Sequence, residues 1–482
     1  MPLPVFYSSH QLVFNMVAQN IRHEIRLLSR NQWFVSLTIV LITLCLYAGY
    51  NGQNHFEKRQ IDQQQAISSQ EVKENEVREV ALAVNQGEEP KNANVLSPTN
   101  VAMRRGSLAI MPANEMSKLA VGQSDLYTHQ LTISAREDLA TLSFNELSNP
   151  VQLLFGNFDL TFVLTYLIPL IIIAFTYNLR SQELESGRLK LLASNPIRTN
   201  LWLLQRFVIR YFSLALILTG SLVITILWIG IPLSSELFTF FLLVYAYMAV
   251  WFSISFLANI LGKSSSKNAV SLISIWILLV LVTPTVINQT VNIAYPMPSR
   301  VALLNEIRET KKELSKEQDK VLDEYLRNHP ELIKNEGNSS GYWQGYFASQ
   351  ELLEKTLEPI VNRYDQQLIK QQNSVNSWRF LSPAILFQDG STQLAGTSSN
   401  DYNEFKSSIK EFSFIWREHF IPYVFSNKSL ELSDLQSLPT YQFAKNQDGL
   451  HVGLNIISLF IISAALIGRG LMLEEVKGLT RL

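Results

Sequence analysis

The side chains that carry chemistry in enzymes are scattered along this 482-residue sequence rather than grouped. The seven histidines form neither a His-Glu-x-x-His motif nor any pair four residues apart, and the single cysteine, Cys45, supports no thiolate metal cluster and no intrachain disulfide. A Gly-x-Ser-x-Gly nucleophile elbow is absent as well. We therefore predict no catalytic, metal-binding or cofactor-binding residue, and we predict that the chain is not an enzyme.

One segment superficially resembles a nucleotide-binding loop. Gly262, Lys263 and Ser264 match the end of a phosphate-binding loop, but that motif requires a glycine where this sequence has Leu257. It also requires a preceding strand, whereas an apolar helix is predicted here. If the protein uses ATP, a partner subunit must therefore bind the ATP and magnesium.

The charged residues that do cluster lie between Thr176 and Arg206. This short connection separates two long apolar runs and holds five basic residues against two acidic ones, Glu183 and Glu185. The basic residues are Arg180, Arg188, Lys190, Arg198 and Arg206. We interpret the segment as a short amphipathic helix at the membrane surface, with a solvated connector as the alternative.

The rest of the chain explains why such a connection is needed. Six windows contain no Asp, Glu, Lys or Arg over at least 20 residues each. They lie between Arg30 and Glu57, Asp159 and Arg180, Arg210 and Glu236, Glu236 and Lys263, Lys267 and Arg300, and Asp448 and Arg469. At ~1.5 Å per residue, each window is long enough to cross a hydrocarbon core of ~30 Å. The sequence predicts an all-α polytopic membrane protein with six transmembrane helices.

These windows define the predicted organisation of the chain. The transmembrane helices are expected at 33–50, 159–178, 207–230, 236–262, 268–293 and 450–470. An amphipathic basic segment at 1–32 is predicted to lie in the membrane interface, a plain cytosolic tail being the alternative. Two mostly helical extracytoplasmic domains are expected at 51–158 and 294–449, the second with a helical hairpin, and a cytoplasmic tail at 471–482.

The basic residues predict the orientation. They are concentrated at the N terminus, in the 179–206 loop, in the 263–267 turn and in the C-terminal tail. Because basic short loops stay inside, both termini and the 179–206 loop are predicted to be cytoplasmic. No ionisable residue falls in the middle of a window, which argues against a proton- or ion-coupled transporter. Pro169 and Pro284 interrupt the second and fifth helices and are candidate hinges.

The loop sequence carries a family resemblance. The span from Glu183 to Pro196, Glu-Leu-Glu-Ser-Gly-Arg-Leu-Lys-Leu-Leu-Ala-Ser-Asn-Pro, resembles the Glu-x-x-x-Gly-Thr-Leu-x-x-Leu-x-x-x-Pro segment of type-2 ABC exporter permeases. Arg188 stands where Thr is common. Asn149-Pro150, the stretch 156–160, Pro169-Leu170 and His329-Pro330-Glu331 are similar to signatures of a subgroup with two large outer domains.

This resemblance implies a permease subunit of an ATP-driven exporter. The loop would be a coupling helix that docks on a separate ABC ATPase subunit, and a second permease subunit, identical or related, would complete the substrate path. The residues implied in coupling are Glu183, Glu185, Gly187, Arg188, Leu189, Leu191, Leu192 and Pro196. Membrane lipids and an extracytoplasmic protein are further expected partners, and nucleic acid is not. The alternative function is a non-transporting membrane sensor or assembly scaffold whose outer domains bind a ligand or partner.

Overall fold

The computed structural model describes most of the chain, and the architecture below refers to that part. The described residues are 21–22, 24–30, 32–88, 90, 92–122, 124–136, 157–188, 199–297, 299–316, 318–333, 342–426, 428–444 and 450–479. The predicted interfacial segment therefore lies largely outside them, although its described residues, 21–22 and 24–30, are helical.

The fold is built from α-helices, with one small sheet. The helices are α1 (Gln32–Asn85), α2 (Leu160–Glu185), α3 (Thr199–Ile229), α4 (Ser235–Leu261), α5 (Ser265–Ala294), α6 (Arg300–Lys316), α7 (Gln318–Asn328), α8 (Tyr342–Trp378), α9 (Pro383–Ala395), α10 (Ser399–Ser426), α11 (Leu432–Gln436) and α12 (Leu450–Leu479). Strands β1 (Ser107–Ile110) and β2 (Gln130–Ile133) pair antiparallel, with Ser107 opposite Ile133.

Six of these helices are long and apolar enough to cross a membrane: α1, α2, α3, α4, α5 and α12. This confirms the prediction of six apolar helices. Two long polar segments, residues 51–158 and 294–449, interrupt the series of apolar helices, and we call them the first and the second insert. Both start and finish on the side of the bundle where α2, α4 and α12 begin. This side is called the insert end. The opposite side, which carries the α2–α3 connection, is the loop end.

The first helix continues far beyond its apolar part. It spans 54 residues without a break, because no proline lies in the polar stretch after Tyr50 and Gly52 is its only glycine. Its polar half supports the first insert: the side chain of Gln63 donates to the Met111 carbonyl at 2.7 Å, and that of Gln70 donates to the Gly106 carbonyl at 3.1 Å. The first insert is thus attached to the same rod that enters the membrane.

Both candidate hinge prolines follow a π-helical segment. Pro169 is the second residue after the π-helix Val163–Leu167, and Pro284 is the second residue after the π-helix Ile277–Val282. A proline lacks the N–H that an α-helix requires, and local widening of the helix is a common way to accommodate it. Whether either site bends during function stays a prediction.

The bundle core extends into the second insert through α9. This helix starts at the N-cap Ser382, whose hydroxyl accepts from the Ile385 N–H and also donates to the Leu279 carbonyl of α5 at 2.6 Å. Its Phe387 is fully buried and stacks on Tyr247 of α4 at a ring-centroid distance of 4.7 Å. The hydroxyl of Tyr247 in turn donates to the Thr165 carbonyl in the π-helix of α2 at 2.7 Å. One helix of the insert is therefore packed among the membrane helices.

A second core, rich in aromatic residues, lies outside the bundle. Tyr325, Phe347, Phe405, Trp416 and Phe420 are buried in it together with residues of the first insert. The indole N–H of Trp416 donates to the Ala102 carbonyl at 3.2 Å, so the two inserts share this core. Within the second insert, α6 and α7 pack along α8.

Candidate functional site

The described half of the α2–α3 connection consists of the last part of α2, which a turn at 177–180 separates from the rest of the helix, and the residues up to Arg188. Residues 177–180 form a turn, Ser181–Glu185 is helical, and Gly187 ends the segment with a φ of +75°. A left-handed residue at this place favours glycine, because a side chain would be strained there. Among the predicted coupling residues, Glu183, Glu185, Gly187 and Arg188 are described, whereas Leu189, Leu191, Leu192 and Pro196 lie outside the described residues.

Arg206 of α3 is the hub of an ion-pair cluster at the loop end. Its guanidinium pairs with the carboxylates of Glu24 and Glu183, the latter at 3.3 Å, and donates to the Leu179 carbonyl at 3.3 Å. The other carboxylate oxygen of Glu24 pairs with Arg210 at 3.3 Å, and the other oxygen of Glu183 pairs with Arg188 at 3.0 Å. This cluster joins the N-terminal helical segment, the loop and α3.

A second set of bonds joins the loop to α4 and α5. Glu185 accepts from the Ser265 N–H at 2.7 Å and from its hydroxyl at 3.0 Å, which caps the first turn of α5. The Arg180 guanidinium donates to the Ile260 carbonyl at 2.8 Å and the Asn259 carbonyl at 3.3 Å, at the end of α4. The end of α2 therefore contacts the ends of both later helices.

Two buried amides complete this end of the bundle. Asn259 donates to the Thr176 carbonyl at 2.8 Å, and Asn268 donates to the Tyr177 carbonyl at 3.1 Å. Gly262 is packed so closely that a Cβ there would lie 1.5 Å from the amide oxygen of Asn268. The Gly262–Ser264 sequence thus forms the close turn between the end of α4 and the start of α5. The residues that flank this turn bond to the loop about 80 residues earlier, Ile260 to Arg180 and Ser265 to Glu185, which the sequence alone did not indicate.

The loop end is a junction of ion pairs and hydrogen bonds. Arg180, Arg188, Arg206 and Arg210 bond to carboxylates or backbone carbonyls, and Glu185 bonds to Ser265. Within the described residues, no group of His, Cys, Asp or Glu is placed to hold a metal ion.

Asp159 organises the insert end. In the sequence it marks only the start of the second uncharged window, but its side chain is buried and caps α2 by accepting from the Phe162 N–H at 2.7 Å. Its other oxygen accepts from the Val121 and Gly122 N–H groups at 2.8 and 3.3 Å. One carboxylate therefore fixes the start of α2 and a loop of the first insert.

Sequence reasoning missed a polar cluster around Asp389 of α9. Its carboxylate pairs with Arg379 at 3.3 Å and accepts from Asn455 of α12 at 2.9 Å and from Gln393 at 2.9 Å. Gly390 beside it lies against Leu243 of α4. The short apolar run after Ser382-Pro383, a good helix start, is the sequence signal that could have drawn attention to this helix.

These side chains border a cavity of about 840 Å³ at the insert end. Its walls come from the starts of α4 and α12, the end of α5, parts of α8, α9 and α10, and two residues of the first insert, Asn114 and Tyr127. The cavity therefore lies where the two inserts and the membrane helices meet.

Comparison with known proteins identifies one part of the chain. Residues 300–444 match the family model described as a domain of unknown function, DUF3526. No curated protein matches the chain. The DUF3526 segment contains α6 to α11, and so provides α9 and much of the cavity wall, but it does not include the α2–α3 connection.

Proposed function

We propose that this chain is the membrane-spanning permease subunit of an ATP-driven ABC exporter. In this proposal the α2–α3 connection is the contact for a separate ATPase subunit, which binds and hydrolyses the ATP. The observation that carries the proposal is the bonding of the Ser181–Glu185 turn to three other helices at once. A push on this turn would reach α3 through Arg206, α4 through Arg180 and α5 through Glu185.

The second feature that supports the proposal is the loop sequence from Glu183 to Pro196, which resembles the coupling segment of type-2 exporter permeases. The predicted docking residues, Leu189, Leu191 and Leu192, follow Gly187 and Arg188 in the sequence. Leucines alternating with charged residues in a short amphipathic segment would suit a groove in a partner protein. The loop end is then cytoplasmic and the two inserts are extracytoplasmic, in a bacterial inner membrane with both termini inside.

A second permease copy belongs to the proposed assembly. Helix α5 exposes many large apolar side chains, including Val270, Ile273, Ile277, Leu278 and Val286. Such a surface is stable against lipid or against another apolar helix. We propose that part of it faces a second permease, identical or related, across the substrate path.

The first experiment tests the contact with the ATPase. The tagged chain is purified from its own membranes in mild detergent, and an associated subunit with a Walker A motif and ATP hydrolysis is sought. The variant combining Leu189→Asp and Leu192→Asp should lose this subunit, because two carboxylates would be buried in the contact. Leu233→Asp, which changes an exposed leucine at the insert end, is the matched control and should retain it.

The second experiment tests the transmission of force. The Glu185→Gln variant should keep the ATPase bound but weaken the stimulation of ATP hydrolysis by the permease, because its bonds to Ser265 at the start of α5 are weakened. In the first experiment, retention of the ATPase by the variant that combines Leu189→Asp and Leu192→Asp would contradict the proposal.

The alternative, a sensor or scaffold, is favoured by one observation: the cavity joins the DUF3526 segment to the membrane helices. A sensor would need no ATPase. If the functional chain is purified in a complex with extracytoplasmic proteins and without an ATPase, this result would support the sensor or scaffold function over the exporter function.

A further inference from the structure

The cavity at the insert end has an unusual lining. One group of its side chains consists of amides, each of which carries a donor and an acceptor: Asn288, Asn292, Gln371, Gln372, Asn373 and Asn376. Gln371 donates to the Tyr295 carbonyl and to Asn292, and Gln372 accepts from Asn403, so these groups are already bonded within the protein. Apolar side chains, among them Val291, Leu368 and Val375, lie between them. A wall of this composition suits a ligand that combines amide-like groups with aliphatic parts.

The charge of the lining is acidic. Arg379 is the one Lys or Arg among the described lining residues, and it is paired with Asp389 at 3.3 Å. Three further carboxylates, those of Glu236, Asp401 and Glu404, belong to the same wall. Whatever local bonds these acids make, their summed potential favours a positively charged ligand.

Two polar groups, one in the cavity wall and one buried behind it, are only partly satisfied. Arg379 is 7% exposed, and its Nε has no hydrogen-bond partner within the described residues. The Oδ1 of the fully buried Asn455 next to Asp389 also lacks one in the same part of the chain. Buried donors and acceptors are normally paired, and unpaired ones mark a place where a ligand or water completes the bonding.

We propose that this cavity binds a short peptide that carries a lysine or arginine side chain. The amides pair with the peptide backbone, the carboxylates attract the basic side chain, and the apolar residues hold the aliphatic parts. A volume of about 840 Å³ is within the usual range of ligand pockets, about 300 to 1,000 Å³. The proposal does not depend on the exporter function, because a sensor would use the same site.

The test uses the full-length chain in lipid nanodiscs and a fluorescein-labelled Leu-Lys-Ala peptide. We expect saturable binding by fluorescence anisotropy. The same peptide with acetyl-lysine, which removes only the charge, should bind at least 10-fold more weakly. Equal binding of the two peptides, or no saturable binding, would overturn the proposal. Displacement by spermidine as effective as by unlabelled peptide would reduce the site to charge recognition and would also overturn it.

Variants locate the site. The double variant Glu236→Gln and Glu404→Gln should weaken binding at least 10-fold, whereas Glu324→Gln, an exposed acid on α7 outside the cavity, should leave it unchanged. If the double variant fails to fold, Asn376→Lys decides, because this exposed lining residue adds a repelling charge without touching the core. Unchanged binding by Asn376→Lys would place the peptide elsewhere and contradict the inference.

Discussion

At the loop end of the bundle, ion pairs and arginine–carbonyl bonds join α2 to α3, α4 and α5, and some of their members are open to solvent. At the insert end, beside the cavity, a buried aspartate and the stacked rings of Phe387 and Tyr247 join the helices through contacts that are closed to solvent. Arg188 is 59% exposed in its ion pair, whereas Phe387 is fully buried. An ion pair that is open to solvent can be rearranged at low cost, whereas a packed aromatic contact cannot. The exposed part of the loop end around Arg188 is therefore adjustable, whereas the buried pair of Glu24 and Arg206 and the packed insert end are fixed.

The largest effect is expected at the insert end. Phe387→Ala should lower the free energy of unfolding by about 4 kcal/mol, because it leaves a cavity between α9, α4 and α2. Chemical unfolding in mixed micelles measures this loss. The nearby Phe380 is 46% exposed, and Phe380→Ala should cost less than about 1 kcal/mol. Equal losses for the two phenylalanines would show that burial of the Phe387 ring between the helices does not stabilise the insert end.

The cluster around Arg206 gives the next largest effect. Arg206→Ala should destabilise by about 3 kcal/mol, because it leaves the buried carboxylate of Glu24 with fewer partners. Glu183 pairs with Arg206 and also with the exposed Arg188. Arg188→Ala removes this exposed partner and should lower the free energy of unfolding by no more than about 0.5 kcal/mol. The same unfolding assay compares them. A large loss for Arg188→Ala would mean that the loop end is less adjustable than the comparison suggests.

A pH-dependent effect is expected in the first insert. Burial, and then the charge of Arg59, lower the pKa of His129 from 6.5 to about 4. Between pH 6.5 and about pH 4, the imidazole of His129 binds a proton more readily in the unfolded state than in the folded state. The free energy of unfolding therefore decreases as the pH falls through this range. From pH 7 to pH 5 this amounts to about 2 kcal/mol. Hydrogen exchange of residues 107–133 measures it, and His129→Gln should flatten the profile. An unchanged slope in that variant would assign the pH dependence to another group.

Two glycines give the smallest effects, with opposite signs. A Cβ added to Gly187 or Gly220 would have no neighbouring atom within 4 Å. The effect of an alanine at either position is therefore set by the backbone conformation alone. Gly187→Ala should destabilise by about 1 kcal/mol because its φ is positive, whereas Gly220→Ala inside α3 should stabilise by about 0.5 to 1 kcal/mol. Thermal melting of the two variants decides the sign. A stabilised Gly187→Ala variant would show that the loop end does not need its left-handed residue.

The sequence predicted the helices far better than their contacts. The absence of charge over 20 or more residues is a strong local signal, because each charge in a bilayer costs several kcal/mol, and all six apolar helices followed from it. The helical character of 55–86 was also predictable from its apolar stripe. The continuity of this stretch with the membrane part of α1 was not, because nothing local distinguishes a continuous rod from two helices.

The candidate sites depend on distant partners, and this is why much of them escaped prediction. Glu24 and Arg206 are 182 residues apart, and Asp389 and Asn455 are 66 residues apart. A single sequence contains no signal for such pairs. Asp159 was noticed at the boundary of α2, but its bonds to Val121 and Gly122 depend on the folding of the first insert. The coupling role of Glu183, Glu185, Gly187 and Arg188 stays a prediction, as does that of the undescribed Leu189, Leu191, Leu192 and Pro196.

The continuous first helix has a geometric consequence. Its 54 residues correspond to a length of about 80 Å, of which about 50 Å follow Tyr50 and support the first insert. If the rod turns as one body about its membrane part, a tilt of about 5° carries its far end by about 4 Å. A displacement too small to break a side-chain contact inside the bilayer is thereby magnified to the width of an amino-acid side chain at the tip of the insert.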